Sequence, residues 1–134
     1  IFEARARIKD AHTIEVDGQE VTAKHILLAV GGWPWIPEFP GSDLAISSNE
    51  VFYLDTLPKQ IVIVGGGYIA LEFASIFSGL GVETTLVYRG NKFLRGFDED
   101  VRDFITAEIS KHIAIELENN VTKIAKNNNE ATNK

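Results

Sequence analysis

The stretch Ile61-Val62-Ile63-Val64-Gly65-Gly66-Gly67-Tyr68-Ile69-Ala70 decides the fold. Four consecutive β-branched residues favour a short strand, and the three glycines end it. Ile69, Ala70, Phe73, Ile76, Phe77 and Leu80 then recur at helical spacing. Gly79 and Gly81 stop that helix. Thr84-Thr85-Leu86-Val87-Tyr88 reads as a second strand. Strand, glycine turn, helix and strand within about 30 residues make a βαβ unit, whose crossover is right-handed. The expected class is α/β, with a Rossmann-like parallel sheet and a β-meander.

Gly65 to Ala70 fits G-x-G-x-x-A in the setting that gives the pattern meaning, after a buried strand and at the start of a helix. Gly65 permits a tight turn, and Gly67 lets a pyrophosphate approach the amides of the helix N-terminus. Ala70 is small enough for the helix to pack on the sheet. Tyr68 and Ile69 belong to the same turn. The residue that selects the dinucleotide stands about 20 positions beyond the glycines, at the end of the second strand. Here that position is Tyr88, followed by Arg89, with Arg95 across the loop Gly90-Asn91-Lys92-Phe93-Leu94. A carboxylate there would hold the ribose hydroxyls of NAD, whereas guanidinium groups grip the 2′-phosphate of NADP. Two solvated surface arginines are the plainer alternative. The βαβ context favours NADP(H). Glu72 lies among apolar helix neighbours and must reach water, a cation or an adjoining domain. Tyr68 stands at the helix mouth. From the residues alone, either is as well read as an ordinary packed or solvated side chain.

Towards the N-terminus, Phe2, Ala4, Ala6 and Ile8 alternate with charged residues, which predicts a strand with one buried face. Thr13 to Val16 runs into Asp17-Gly18, a pair suited to a tight hairpin, with Val21 on the return arm. His25-Ile26-Leu27-Leu28-Ala29-Val30, closed by Gly31-Gly32, reads as a strand covered on both faces. Trp33 to Gly41 contains three prolines and is expected to be a linker pinned by burial of Trp33 and Trp35. A domain boundary is placed in it, giving residues 1–40 and 41–134. Towards the C-terminus, Asp98 is placed to cap a helix whose apolar stripe is Val101, Phe104, Ile105 and Ile109. Ile113, Ile115 and Leu117 alternate as a strand, and Asn119-Asn120 turns the chain into Val121 to Ala125. Asn127 to Lys134 is polar and aperiodic, as in a solvated loop.

The 134 residues carry a formal net charge of −6, which argues against a nucleic-acid partner. No apolar run approaches the ~20 residues that cross a bilayer, and no signal-peptide pattern is present, so a cytoplasmic location is expected. Cysteine is absent, so these residues hold no disulfide, thiolate metal site or cysteine nucleophile. His12, His25 and His112 share no metal-ligand spacing, and no metal is expected. Methionine is also absent and the first residues already read as the inside of a strand, so a piece of a longer protein is expected.

Gly65 to Ala74, Arg89 and Lys92-Phe93-Leu94-Arg95-Gly96-Phe97-Asp98 resemble the FAD-dependent pyridine nucleotide–disulfide oxidoreductases. His25 to Gly32 and Pro34-Trp35-Ile36-Pro37 also resemble the segment leaving that family's FAD domain. The resemblance implies a homodimeric enzyme that passes electrons from NADPH through FAD and a cysteine pair to glutathione disulfide. By the same resemblance residues 1–40 end an FAD domain and residues 41–134 form a truncated NADP(H) domain. Tyr68 would cover the flavin until nicotinamide displaces it, Glu72 would pair with a lysine beside the nicotinamide, and Arg89 and Arg95 would hold the 2′-phosphate. Ala29 and Gly31 would be flavin contacts, although Val30 replaces the threonine of the family's Ala-Thr-Gly and Trp33 stands where arginine is frequent. The cysteine pair, first FAD glycine motif and dimer region are missing here. Binding of NADP(H) without turnover or tightly held flavin is therefore expected of this chain by itself. Another flavin disulfide reductase, a transhydrogenase or a non-catalytic dinucleotide-binding module are the alternatives.

Overall fold

A computed structural model of the chain describes residues 1–126; the expected polar tail from Asn127 lies outside them. The described chain divides between Trp33 and Pro34, inside the proline-rich stretch, into two compact units.

The first unit is an antiparallel sheet of β1 (Ala6–Ile8), β2 (Thr13–Val16) and β3 (Gln19–Thr22) in that spatial order. Val16 pairs with Gln19 across Asp17-Gly18, whose φ angles of 52° and 72° supply the left-handed pair that such a hairpin needs. Val16 is buried, but every residue of β1 is exposed, so the expected buried face of the first strand does not form. The expected strand over residues 25–30 is absent as well. Leu27 is 88% exposed and Val30 91%, in backbone that pairs with no strand. A strand covered on both faces needs neighbours on its edges and layers above and below, and the described residues supply neither. Trp33 and Trp35, 84% and 82% exposed, are likewise not buried. The expected pinning of this stretch by aromatic burial therefore does not form.

The second unit opens with two short 3-10 turns, Ser42–Leu44 and Glu50–Tyr53. β4 (Gln60–Val64), α1 (Tyr68–Gly79), β5 (Glu83–Tyr88), α2 (Glu99–Ile109) and β6 (Ala114–Leu117) follow. The strands form a parallel sheet in the order β4-β5-β6, with Val64 beside Val87 and Tyr88 beside Leu117. The fold is therefore mixed α/β, an antiparallel sheet followed by a parallel βαβαβ unit. Leu71 and Ala74 of α1, Leu86 of β5, Phe93, Leu94, Ile109 and Ile113 make its core. β4 is an edge strand with Val62 and Val64 exposed, so it is not the fully buried strand its composition suggests.

Both helices end as their sequences dictate. After α1 the Gly81 N–H donates to the Ser78 carbonyl and the Val82 N–H to the Phe77 carbonyl, each at 3.0 Å, with Gly81 at φ 81°. This is a Schellman stop, sealed by the buried side chains of Phe77 and Val82. At α2, Asp98 Oδ1 accepts from the Asp100 N–H at 3.0 Å. Of the expected stripe, Ile109 is buried and Ile105 half-buried, while Val101 and Phe104 are exposed. The buried face is rotated because Arg102, rather than Val101, turns in towards the loop after β5. Residues 121–125 carry no regular element, and the Ile124 N–H donates to the Pro40 carbonyl at 2.9 Å.

Candidate functional site

The glycine turn joins the C-terminal end of β4 to α1. Gly65 has φ 154°, open only to glycine, and its N–H donates to the Val87 carbonyl at 2.9 Å. A Cβ on Gly65 would stand 3.1 Å from the Ala70 Cβ, so the third small residue of the motif packs directly on the first. Gly67 differs in kind. Its φ of −88° suits any residue, and a Cβ built there meets nothing within 4 Å. Nothing among the described residues demands glycine at that position. Gly67 is also the N-cap of α1, with no side chain capping the helix and no acidic residue in its first turn. Among the described residues no side chain therefore caps the amides of the first turn, which lie at the positive end of the helix dipole.

The loop from Arg89 to Phe97 is tied to this turn. The Leu94 N–H, at φ 54°, donates to the Gly66 carbonyl at 2.7 Å. Arg102 Nε donates to the Phe93 carbonyl at 2.9 Å and also pairs with Glu99. Lys92 bridges to Glu99 and Asp103, which raises its pKa, the Asp103 hydrogen bond most strongly. Arg89 and Arg95 are exposed and, among the described residues, make no ion pair or side-chain hydrogen bond. The cations of this region thus split into two that build the loop and two that face solvent.

Tyr68, 60% exposed, opens α1 beside Gly67, and Ile69 is also exposed. Ala70 is half-buried. Glu72 is exposed and borders two hollows. One, about 290 Å³, is shared with Ser48, Phe52, Ile69 and Phe73. The other is an open groove of about 860 Å³ between α1 and α2, walled by Leu71, Ile76, Ile105 and Ile109. None of Gly65 to Ala70, Arg89 or Arg95 lines that groove, and its mainly apolar walls suit a phosphate poorly. Ala29 and Gly31 belong to the first unit, both exposed and outside any strand.

The sequence pattern of the family described as "Pyridine nucleotide-disulphide oxidoreductase" matches residues 1–134. The chain belongs to that family. Its relatives include glutathione reductase of Nostoc sp., 49% identical over 92% of this chain and 27% of the relative. The chloroplastic/mitochondrial glutathione reductase of Pisum sativum is 54% identical over 74% of this chain and 18% of the relative. Trypanothione reductase of Leishmania donovani is 42% identical over 90% of this chain and 27% of that protein. Among solved structures, the Cu(II) complex of an HOCl-induced flavoprotein disulfide reductase from Escherichia coli superposes with a TM-score of 0.76. It is 28% identical, with 95% of this chain and 30% of that one covered. The chain spans roughly a quarter of the length of such curated relatives.

For a pyridine nucleotide–disulphide oxidoreductase, the described residues fit the two implied cofactors unequally. Gly67, with no partner for a Cβ, and the uncapped first turn of α1 form a cradle suited to a dinucleotide phosphate. Ala29 and Gly31 are exposed in backbone outside any strand, Gly31 at φ 71°, and no described helix begins at them to offer amides. Sequence reading missed two contributors to the site. Arg102 carries no motif signal; only the fold brings it onto the loop carbonyls. Tyr88 was read for what it is not, a carboxylate, while its ring has a place of its own: stacked on Phe93 with centroids 5.8 Å apart.

Proposed function

We propose that this chain supplies the NADP(H)-binding part of an FAD-dependent glutathione-disulfide reductase. The observation that carries the reading is the split among the loop cations. Lys92 and Arg102 are engaged by acids or carbonyls, whereas Arg89 and Arg95 stand unpaired among the described residues on the loop hydrogen-bonded to the glycine turn. Desolvating a phosphate dianion is offset by guanidinium groups that need not first give up another partner. Residues 1–40 would then belong to the FAD domain and 41–134 to the NADP(H) domain, Rossmann-like in its order of strands and helices. The whole enzyme would be a homodimer that takes glutathione disulfide and serves redox homeostasis in the cytoplasm.

In this reading Gly65 turns the chain sharply enough to present α1 end-on. Gly67 leaves room for the pyrophosphate, which takes up the uncapped amides of the first turn. Arg89 and Arg95 hold the 2′-phosphate. Tyr68 would cover the flavin until nicotinamide displaces it, and Glu72 would pair with a lysine of the FAD domain beside the nicotinamide. NADPH, when bound, supplies the hydride; the chain contributes position and charge. Trypanothione reductase is a second reading, favoured by the 42% identity to that enzyme, below the 49% and 54% to glutathione reductases. Titration calorimetry of the chain tests the cofactor assignment: NADPH is expected to bind more tightly than NADH, and equal affinities would overturn it.

A further inference from the structure

Tyr88 ends β5 at the position where the sequence pattern leads one to look for an acid. Its ring lies between two glycines. A Cβ on Gly66 would come within 2.5 Å of Tyr88 Cδ2, Cε2 and Cζ, and a Cβ on Gly90 within 2.5 Å of Cε1 and 3.1 Å of the hydroxyl oxygen. Neither Gly66 nor Gly90 has a positive φ. The backbone therefore does not require glycine at either position; the ring does. Its face stacks on Phe93, which is fully buried in the core. The ring is thus a wedge with one edge on the glycine turn and the other on the start of the basic loop, backed by the core. The Leu94-to-Gly66 hydrogen bond closes the far end of the same loop.

We infer that Tyr88 is a positioning residue that sets NADPH over NADH selectivity by fixing Arg89 relative to the glycine turn. The inference rests on the NADP(H) reading above. Arg89 follows Tyr88 directly and Gly90 has no room for a Cβ beside its ring, so the ring stands between Gly66 and the backbone from which the guanidinium departs. Removing the ring lets the loop settle towards Gly66 and carries Arg89 out of register with the 2′-phosphate. The pyrophosphate contacts, which come from Gly67 and α1, keep their geometry. The hydroxyl takes no part, because among the described residues it makes no hydrogen bond. Loss of the ring should therefore reduce selectivity rather than binding in general.

The test is calorimetric titration of the full 134-residue chain with NADPH and with NADH. Tyr88→Phe is expected to keep both affinities. Tyr88→Ala is expected to lower the NADPH-to-NADH affinity ratio roughly tenfold, the scale of a lost charge-assisted contact, with NADH affinity nearly constant. Gly90→Ala provides an independent route, since its methyl displaces the ring, and is expected to lower the ratio similarly. In Gly90→Ala/Tyr88→Ala the methyl has no ring to displace, so the double variant is expected to match Tyr88→Ala. Retention of the ratio in Tyr88→Ala and in Gly90→Ala, or its loss in Tyr88→Phe, would overturn the inference alone. A wild-type ratio near one would overturn the NADP(H) reading and the inference together. Should Tyr88→Ala unfold, as far-ultraviolet circular dichroism would reveal, Gly90→Ala and Tyr88→Phe decide the matter.

Discussion

Three glycines stand side by side in the turn before α1, and each is glycine for a different reason. Gly65 is demanded by its own backbone, at φ 154°, and Gly66 by the Tyr88 ring. Gly67 is demanded by neither. Gly67→Ser separates a structural from a ligand-binding role, because a serine at an N-cap accepts from the first-turn amides and stabilises a helix. The melting temperature is expected to hold or rise, while calorimetry shows dinucleotide binding lost; binding at wild-type affinity would mean that no phosphate approaches here. Gly65→Ala should behave in the opposite way, costing about 1–3 kcal/mol of stability through backbone strain. The arginines make the matching case for charge. Arg89→Ala is expected to weaken NADPH by ~1.5–3 kcal/mol, the net worth of hydrogen bonds to a charged group, and to leave NADH nearly unchanged. A similar loss for both nucleotides would place Arg89 on a part they share. The structural roles of Gly65 and Ala70 in the turn were legible in the sequence because their spacing encodes it. The wedge of Tyr88 was not, since it depends on Gly90 and Phe93 being brought round by a loop whose path no spacing predicts.

Elements whose ends carry local chemistry were the most legible. The hairpin at Asp17-Gly18, the stop at Gly81 and the cap at Asp98 all form from hydrogen bonds within a few residues. The misread elements are those whose state depends on what covers them. Leu27 to Val30 has the composition of a central strand, and Val101 and Phe104 that of a buried stripe, yet composition does not say whether a second layer is present. One local device escaped notice: the Ser47-Ser48-Asn49-Glu50 turn before the second 3-10 segment. There the Ser47 hydroxyl and N–H donate to Glu50 Oε2 at 2.6 and 2.7 Å, while Ser47 Oγ accepts from the Asn49 N–H at 3.2 Å. Those donors, the hydroxyl first, hold the Glu50 carboxyl below its ordinary value of 4.5. A carboxyl depressed in the folded state stabilises above its unfolded pKa, and that contribution is lost as pH falls through the folded value. The turn is therefore expected to be fully held near neutrality and to loosen below about pH 4.5. Carbon-detected titration of the Glu50 carboxyl should show a depressed midpoint that Ser47→Ala returns towards the ordinary value; a midpoint indifferent to that change would show the contact to be absent in solution.

At the scale of the whole chain, stability is unevenly divided. Among the described residues the buried hydrophobic side chains lie almost entirely in the second unit, with Leu86 and Phe93 completely enclosed, whereas Val16 is the one buried in Ile1–Trp33. No helix among the described residues is long and apolar enough to cross a membrane. A three-stranded sheet with a single buried side chain has little apolar burial to offset the entropy of ordering its backbone. The parallel unit joins two helices and three strands round a continuous core. Opening free energies should follow this division, since amides exchange through the least costly local unfolding. Hydrogen exchange followed by mass spectrometry is thus expected to show fast exchange through β1–β3 and slow exchange in β4, α1 and β5. Addition of NADPH should slow the stretches 65–70 and 89–95 further and leave β1–β3 untouched, because the proposed ligand contacts all lie in the second unit. Equal protection of the two sheets would show that the first unit draws stability from a source other than its own packing. A ligand effect confined to residues 105–113 would move the nucleotide from the glycine turn into the groove between the helices.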